Sequence, residues 1–293
     1  MSSDRKTQIN VIDATTVTPE ASAVGHAASA DGTTIAYEAY GTGPVVAVVG
    51  GAMCLRSSFR DLAQALGERG FTGVTYDRRG RGDSTDTQPY AVQREVEDLT
   101  AVIEAAREGA QNGAGVPAYA HGISSGGALV VQAVAAGALL TAASALEIPY
   151  REPSGAPQPH NYIGRLRALV EADDRAGILR LFHCEAVGMP QERFDQMKGT
   201  PAWEAMLSIA PTALYDGLCL GGDDVTTPHG LLARVTVPFL TISSSGTMMP
   251  ALHDAPAITA RALPLGEHVE LEGGFHEVPA TTMAGALGEF YSR

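Results

Sequence analysis

The feature that most limits how this chain can fold is a repeated alternation of short apolar runs with helix-like stretches. VVAVVG (45–50), FTGVTY (71–76) and PAYAH (117–121) are such runs, and amphipathic segments separate them. Continuous apolar runs suit strands buried on both faces, and helices connect such strands when the sheet is parallel. GTTIAYEAY (32–40) alternates instead and reads as another strand ahead of a glycine turn. Helices are expected over FRDLAQALGER (59–69), from about Val92 to Glu108 with Leu99, Val102 and Ile103 on one face, and from near Ser125. AASALEI (142–148), PFLTIS (238–243) and EHVELE (267–272) continue the strand series, with helices around Ala251–Ala262 and over 278–291.

The rhythm breaks between two of these strands. Residues 149–235 open with the Pro- and Gly-rich REPSGAPQPH and continue with helix-like YIGRLRALVEADD and PAWEAMLSIA. A segment of that length with its own helices reads as a helical lid over one edge of the sheet. The expected core is therefore split into 25–148 and 236–293. Residues 1–24 are read as a loose leader, because the polar start contains no apolar stretch of the secretory kind.

Composition narrows the partners. With 45% hydrophobic residues in 293, the chain can bury a sizeable core, and its formal charge of −13 disfavours nucleic acid and anionic membranes. A small-molecule substrate is the expected partner, and a homodimer is compatible with the sequence. Cys54, Cys184 and Cys219 are far apart and form no CxxC pair, so neither a disulfide framework nor a zinc site is expected and a reduced cytoplasm fits. ALVVQAVAAGALLTAASAL (128–146) approaches membrane-span length, but Gln132, Gly137, Thr141 and Ser144 favour a buried helix followed by a buried strand. No cofactor or metal is expected; His229 with Asp223 and Asp224 reads as a polar loop.

The stretch GISSGG (122–127) lies where a strand hands over to a helix. A nucleophile held at such a turn takes a strained positive φ, and the residues two places to either side must be small. Ser124 has Gly122 and Gly126 at those places, whereas Ser125 would have Ile123. Ser124 is therefore the expected nucleophile. The helix dipole would favour negative charge there, and the Ser125 amide would form one arm of an oxyanion hole. The second arm is expected from GGAMC (50–54), from Ala52 first and Met53 second.

Taken together, GGAMC, DRRGRGDS (77–84), GISSGG and GGFHEV (273–278) resemble the α/β-hydrolase superfamily over roughly residues 30–293. Residues 188–216 further resemble the lid of a group of small actinobacterial hydrolases. The fold implied is a mostly parallel eight-stranded sheet flanked by helices, with a helical lid insertion. In the family, the loop corresponding to DRRGRGDS is structural, although an arginine-rich run can also bind phosphate.

The resemblance places the general base at His276, in the glycine-flanked loop before the last helix. It places the acid of most members after the strand PFLTIS, but SSSGTMMPALH (243–253) contains no carboxylate, and Asp254 should fall on the following helix. Glu147, at the end of AASALEI, is the alternative. Some haloalkane dehalogenases of the superfamily take their acid from this position, and Ser124…Glu147…His276 keeps the family's chain order. Glu147 would orient His276 and stabilise its charged form; its other reading is a cap on the lid through Arg151 or another cation. Serine at the turn, where dehalogenases and epoxide hydrolases carry aspartate, implies acyl transfer to water through an acyl-enzyme. The substrate expected is a small, hydrophobic ester, thioester or lactone, with Phe182, Met189, Phe194, Met197, Trp203 and Met206 lining a pocket or packing the lid, and Met248 and Met249 near the site. A lyase, cyclase or isomerase using the same pocket, or a ligand-binding protein, remains the alternative.

Overall fold

A computed structural model of the chain describes residues 21–109, 115–151, 159–247 and 249–293. Eight strands form one sheet: β1 (Ala23–Ala28), β2 (Thr34–Gly41), β3 (Val45–Val49), β4 (Thr72–Tyr76), β5 (Ala118–Ile123), β6 (Ala142–Leu146), β7 (Phe239–Ser244) and β8 (Gly266–Leu271). Their spatial order is β1-β2-β4-β3-β5-β6-β7-β8. β2 runs antiparallel to both β1 and β4, and every pair from β4 to β8 is parallel.

β3 and β4 are buried along their whole length, as continuous apolar runs in the middle of a covered sheet should be. β1 did not stand out in the sequence. Its AVGHAA alternates partly buried and exposed positions at the sheet edge, with only Ala27 buried, and it starts at Ala23, inside the expected leader. The rest of that leader, 1–20, lies outside the described residues.

Helices cover both faces. α1 (Arg60–Gly67) and α11 (Ala280–Tyr291) pack with Val46, Val48 and Ile242 on one side. On the other lie α2 (Val92–Gly109) and α3 (Ser125–Ala135), where Leu99, Val102 and Leu129 meet Val45, Ala47 and Val49. The apolar stretch 128–146 is divided between α3 and β6, and no helix among the described residues is long and apolar enough to cross a membrane.

Between β6 and β7 lies a helical insertion: α4 (Tyr162–Glu171), α5 (Arg175–Arg180), α6 (Gln191–Met197), α7 (Pro201–Ile209), α8 (Ala213–Cys219) and α9 (His229–Leu232). Thr200 caps α7 by accepting from the Trp203 amide, with Pro201 at the first turn. Phe194 and Trp203 are buried in the insertion's own apolar core, with Met197 and Met206 packed against it. α10 (Pro250–Ala262) then packs on β7 and β8.

The strand order positions the site. From β3 the chain moves outward to β4, then returns to place β5 on the opposite side of β3. The connections leaving the C-terminal ends of β3 and β5 thus part company, which opens a crevice at that end of the sheet. The loop 50–54 and the GISSGG turn both lie there.

α11 is tied to the sheet by its last aromatic residue. The Tyr291 hydroxyl donates to the Ala120 carbonyl at 3.0 Å and lies 2.6 Å from Ser144 Oγ, which in turn lies 2.8 Å from His121 Nδ1. All three side chains are buried. Tyr291→Phe is expected to lower stability by about 1–3 kcal/mol through the polar groups it strands, measured by urea unfolding; an unchanged midpoint would show that this chain of hydrogen bonds contributes little.

Candidate active site

Ser124 follows β5 and precedes α3 with φ 55° and ψ −121°. Its flanking glycines are required by close contact. A Cβ on Gly122 would lie 2.4 Å from the Gly126 carbonyl oxygen, and one on Gly126 would lie 2.2 Å from that of Val49. The two adjacent serines separate cleanly. Ser124 is half-buried and borders a cavity, whereas Ser125 is buried and donates its hydroxyl to Asp216 Oδ1 at 2.7 Å.

Glu147 follows β6 directly and is fully buried. Its Oε1 accepts from the Ser244 amide at 3.0 Å and from the Thr247 hydroxyl. Its Oε2 accepts from the His276 amide at 2.9 Å and stands 2.8 Å from His276 Nδ1. The ring contact is close but falls off hydrogen-bond alignment, so the aligned donor on Oε2 is the amide. Burial pushes the Glu147 carboxyl pKa up; the hydrogen bonds from His276 and Thr247 and the His276 charge outweigh it, and the net shift is downward. The residues after β7 carry no carboxylate of their own. They donate to the one at the end of β6.

Ser124 and His276 line one cavity of about 430 Å³. Its wall is largely apolar, with Met53, Phe182, Met189, Leu220, Met249 and Phe275 among the lining residues. Met53, Ser124, Glu147 and His276 all adopt positive φ without being glycine. Strained backbone of this kind concentrates at functional sites, where the surroundings hold it in place.

Asp254 lies on α10, where its carboxylate meets the exposed His253. His121 is buried on β5, facing Ser144, and burial pushes its imidazole pKa down to about 3. Met249 lines the cavity, while Met248 lies outside the described residues. Among the described residues, no group of three or more His, Cys, Asp or Glu side chains is arranged to hold a metal ion.

A family profile described as "Alpha/beta hydrolase family" matches residues 25–286. The chain belongs to that family. Among solved structures, an alpha/beta hydrolase from Sphaerobacter thermophilus DSM 20745 is 38% identical, with 91% of this chain and 100% of that one covered and a TM-score of 0.79. An enol-lactonase from Burkholderia xenovorans LB400 (19% identity, 92% and 100% covered, TM-score 0.63) shares the fold. So does an esterase from Exiguobacterium antarcticum (16% identity, 92% and 99% covered, TM-score 0.64).

In this alpha/beta hydrolase the loop 50–54 runs against the turn that holds Ser124. A Cβ on Gly51 would sit 3.2 Å from Ser124 Cβ. Arg81 Nη1 donates to the Gly51 carbonyl at 2.7 Å. Across a trans peptide the Ala52 amide points the opposite way from that carbonyl, and so away from Arg81. Ala52 and Met53 both line the cavity, and the Ser125 amide, first in α3, has no partner within the helix.

The arginines of DRRGRGDS are taken up by carboxylates, which removes the phosphate reading. Arg78, Arg79 and Arg81 are all buried. Arg78 grips Glu95 with two bonds (2.6 and 2.7 Å) and Asp216 with a third at 2.6 Å. Arg81 reaches the other oxygen of Asp216 at 2.7 Å, and Arg79 pairs with Asp98 and Asp31. Asp216 belongs to α8, so its carboxylate binds the insertion to the turn that holds Ser124 and Ser125. Neither Glu95 nor Asp216 was singled out by the sequence. The available signal was the arginine-rich run itself, since three buried guanidinium groups demand carboxylates from elsewhere in the chain.

Burial alone would raise the Glu95 pKa, but the charge and hydrogen bonds of Arg78, the charge of Arg81 and the Tyr90 hydroxyl hold it down at about 2, against an ordinary 4.5. A depressed carboxylate adds stability above its unfolded pKa and loses it as pH falls through the folded one. Glu95→Gln is expected to be about 3–5 kcal/mol less stable than wild type at neutral pH. That gap should narrow as pH falls from 4.5 toward about 2, because wild type then protonates as well. Denaturant unfolding across that range measures it; a constant gap would mean that Glu95 is not the titrating partner of Arg78.

Proposed function

We propose that this alpha/beta hydrolase is a serine hydrolase that cleaves a small, apolar ester, thioester or lactone through an acyl-enzyme. One observation carries the reading: Ser124 and His276 share the wall of a mainly apolar cavity, and the buried Glu147 carboxylate is held on His276. His276 takes the Ser124 proton as Oγ attacks the substrate carbonyl. Glu147 keeps the ring oriented and stabilises its charged form. The Ser125 amide, with that of Ala52 and Met53 second, receives the developing oxyanion. His276 then returns the proton to the leaving group, and water activated by the same base releases the acyl group.

The cavity supports the substrate class. At about 430 Å³ it suits a small organic molecule rather than a polymer, and its methionines allow an adaptable apolar fit. The esterase and the enol-lactonase among the neighbours act on esters and lactones by name, and the common fold makes that chemistry a fair first screen.

A fluorophosphonate probe is expected to label wild type at neutral pH and leave Ser124→Ala unlabelled. An unlabelled wild type would favour a non-hydrolytic use of the pocket. Glu147→Gln is expected to lower kcat by on the order of 10³–10⁴ on an activated ester, in line with loss of the acid in other triads. Asp254→Asn should stay close to wild type; the reverse ranking would transfer the acid role to Asp254.

A further inference from the structure

The first residue of α4 brings an open hydroxyl to the cavity. The backbone turns sharply at Asn161 (φ 50°, ψ 43°), and the Ile163 amide donates to Asp223 Oδ1 at 2.8 Å, which fixes the start of the helix. Between them, Tyr162 lies against α8. A Cβ on Gly217 would come 2.8 Å from Ile163 Cδ1 and 3.3 Å from Tyr162 Cε1, so the bare backbone there makes room for both side chains. Tyr162 packs in the insertion's apolar core and lines the same cavity as Ser124 and His276.

Its hydroxyl is left over from this packing. Tyr40, Tyr90, Tyr119 and Tyr215 donate theirs to groups inside the protein, whereas that of Tyr162 has no partner among the described residues. The hydroxyls of Tyr76 and Tyr150 also lack partners but are sealed within the core; that of Tyr162 is not sealed. Because the residue is only 3% exposed and borders the cavity, its hydroxyl opens toward the cavity. Burial first, and the Asp216 charge second, push the Tyr162 pKa up, so the hydroxyl keeps its proton and can donate. Asp216 does not take it: its oxygens are shared among Arg78, Arg81 and the Ser125 hydroxyl.

We infer that Tyr162 is a specificity-determining residue whose hydroxyl donates to an uncharged oxygen, keto or ether, that the substrate carries away from its scissile carbonyl. This rests on the hydrolase reading and narrows it to esters, thioesters or lactones bearing such an oxygen. A charged group would have to shed its hydration against a largely apolar wall, and the Asp216 carboxylate disfavours an anion. A plain hydrocarbon chain laid over the hydroxyl would take it out of water and return no partner, so the site discriminates against such a chain.

Two matched ester pairs test it. On the acyl side, p-nitrophenyl pentanoate is compared with its keto analogue of equal length; on the alcohol side, butyl acetate is compared with methoxyethyl acetate, its ether analogue. Each kcat/KM is divided by the rate constant for hydrolysis by hydroxide alone, which removes the ester's own reactivity. Wild type is expected to favour the oxygenated member of at least one pair by about five- to fiftyfold. Tyr162→Phe removes the hydroxyl and keeps the ring. It should bring that ratio close to unity, with a urea-unfolding midpoint no lower than that of wild type, since no partner inside the protein is lost. Equal treatment of both members by wild type overturns the inference, as does an undiminished ratio in Tyr162→Phe. A midpoint well below wild type, or a variant that does not fold, overturns it too, because the hydroxyl would then be bonded within the protein. A wild type neither labelled by the fluorophosphonate nor active on any ester refutes the hydrolase reading and this inference with it, whereas labelling and turnover without the preference refute only the role of Tyr162.

Discussion

A fully buried carboxylate at the end of β6 ties the end of β7 and the loop that follows it to the loop carrying His276. Glu147 takes donors from the end of β7, from Thr247 and from the loop carrying His276. An unpaired carboxylate at that depth would be untenable, so these donors must be present whenever the chain is folded. The requirement runs both ways. His276 comes from near the end of the chain, and the hydrogen bond its backbone N–H donates to Glu147 holds its loop at the C-terminal end of the sheet, where Ser124 also lies. Positive φ at Ser124, Glu147 and His276 is the local cost of this convergence.

A second buried carboxylate does for the insertion what Glu147 does for the histidine loop. Asp216 divides its oxygens between Arg78 and Arg81 and also receives the Ser125 hydroxyl. The same arginines hold the carbonyls of Gly50 and Gly51. The insertion, the turn that holds Ser124 and the loop after β3 thus share one set of ion pairs and hydrogen bonds. Removing one member leaves its partners charged and buried, which is far more damaging than losing an exposed pair. Such a network fixes the cavity's shape. It leaves the apolar residues of the wall to decide what fits inside.

Much of the architecture was legible because burial on both faces writes itself into a strand as an unbroken apolar run. VVAVVG and PAYAH announced β3 and β5 in this way, and the interruption by REPSGAPQPH marked where the insertion begins. β1 was illegible for the converse reason: an edge strand of small residues, open on one side, lacks that signature. The site was legible where a local steric rule applied, as at Gly122-Ile123-Ser124-Ser125-Gly126. Where partners come from distant segments, as Glu95 and Asp216 do for Arg78, the sequence held only half of each pair.

The sequence by itself determined the parallel sheet, the break in its rhythm between β6 and β7, and which of the two adjacent serines takes the strained turn after β5. Each follows from short-range sterics or from the periodicity of apolar residues, which a linear string preserves. Only the tertiary structure decided that Glu147 rather than Asp254 stands against His276, and that the arginines of DRRGRGDS are neutralised inside the protein. Those are facts about which charges and dipoles share a low-dielectric interior, and that depends on distances in space that no local pattern encodes.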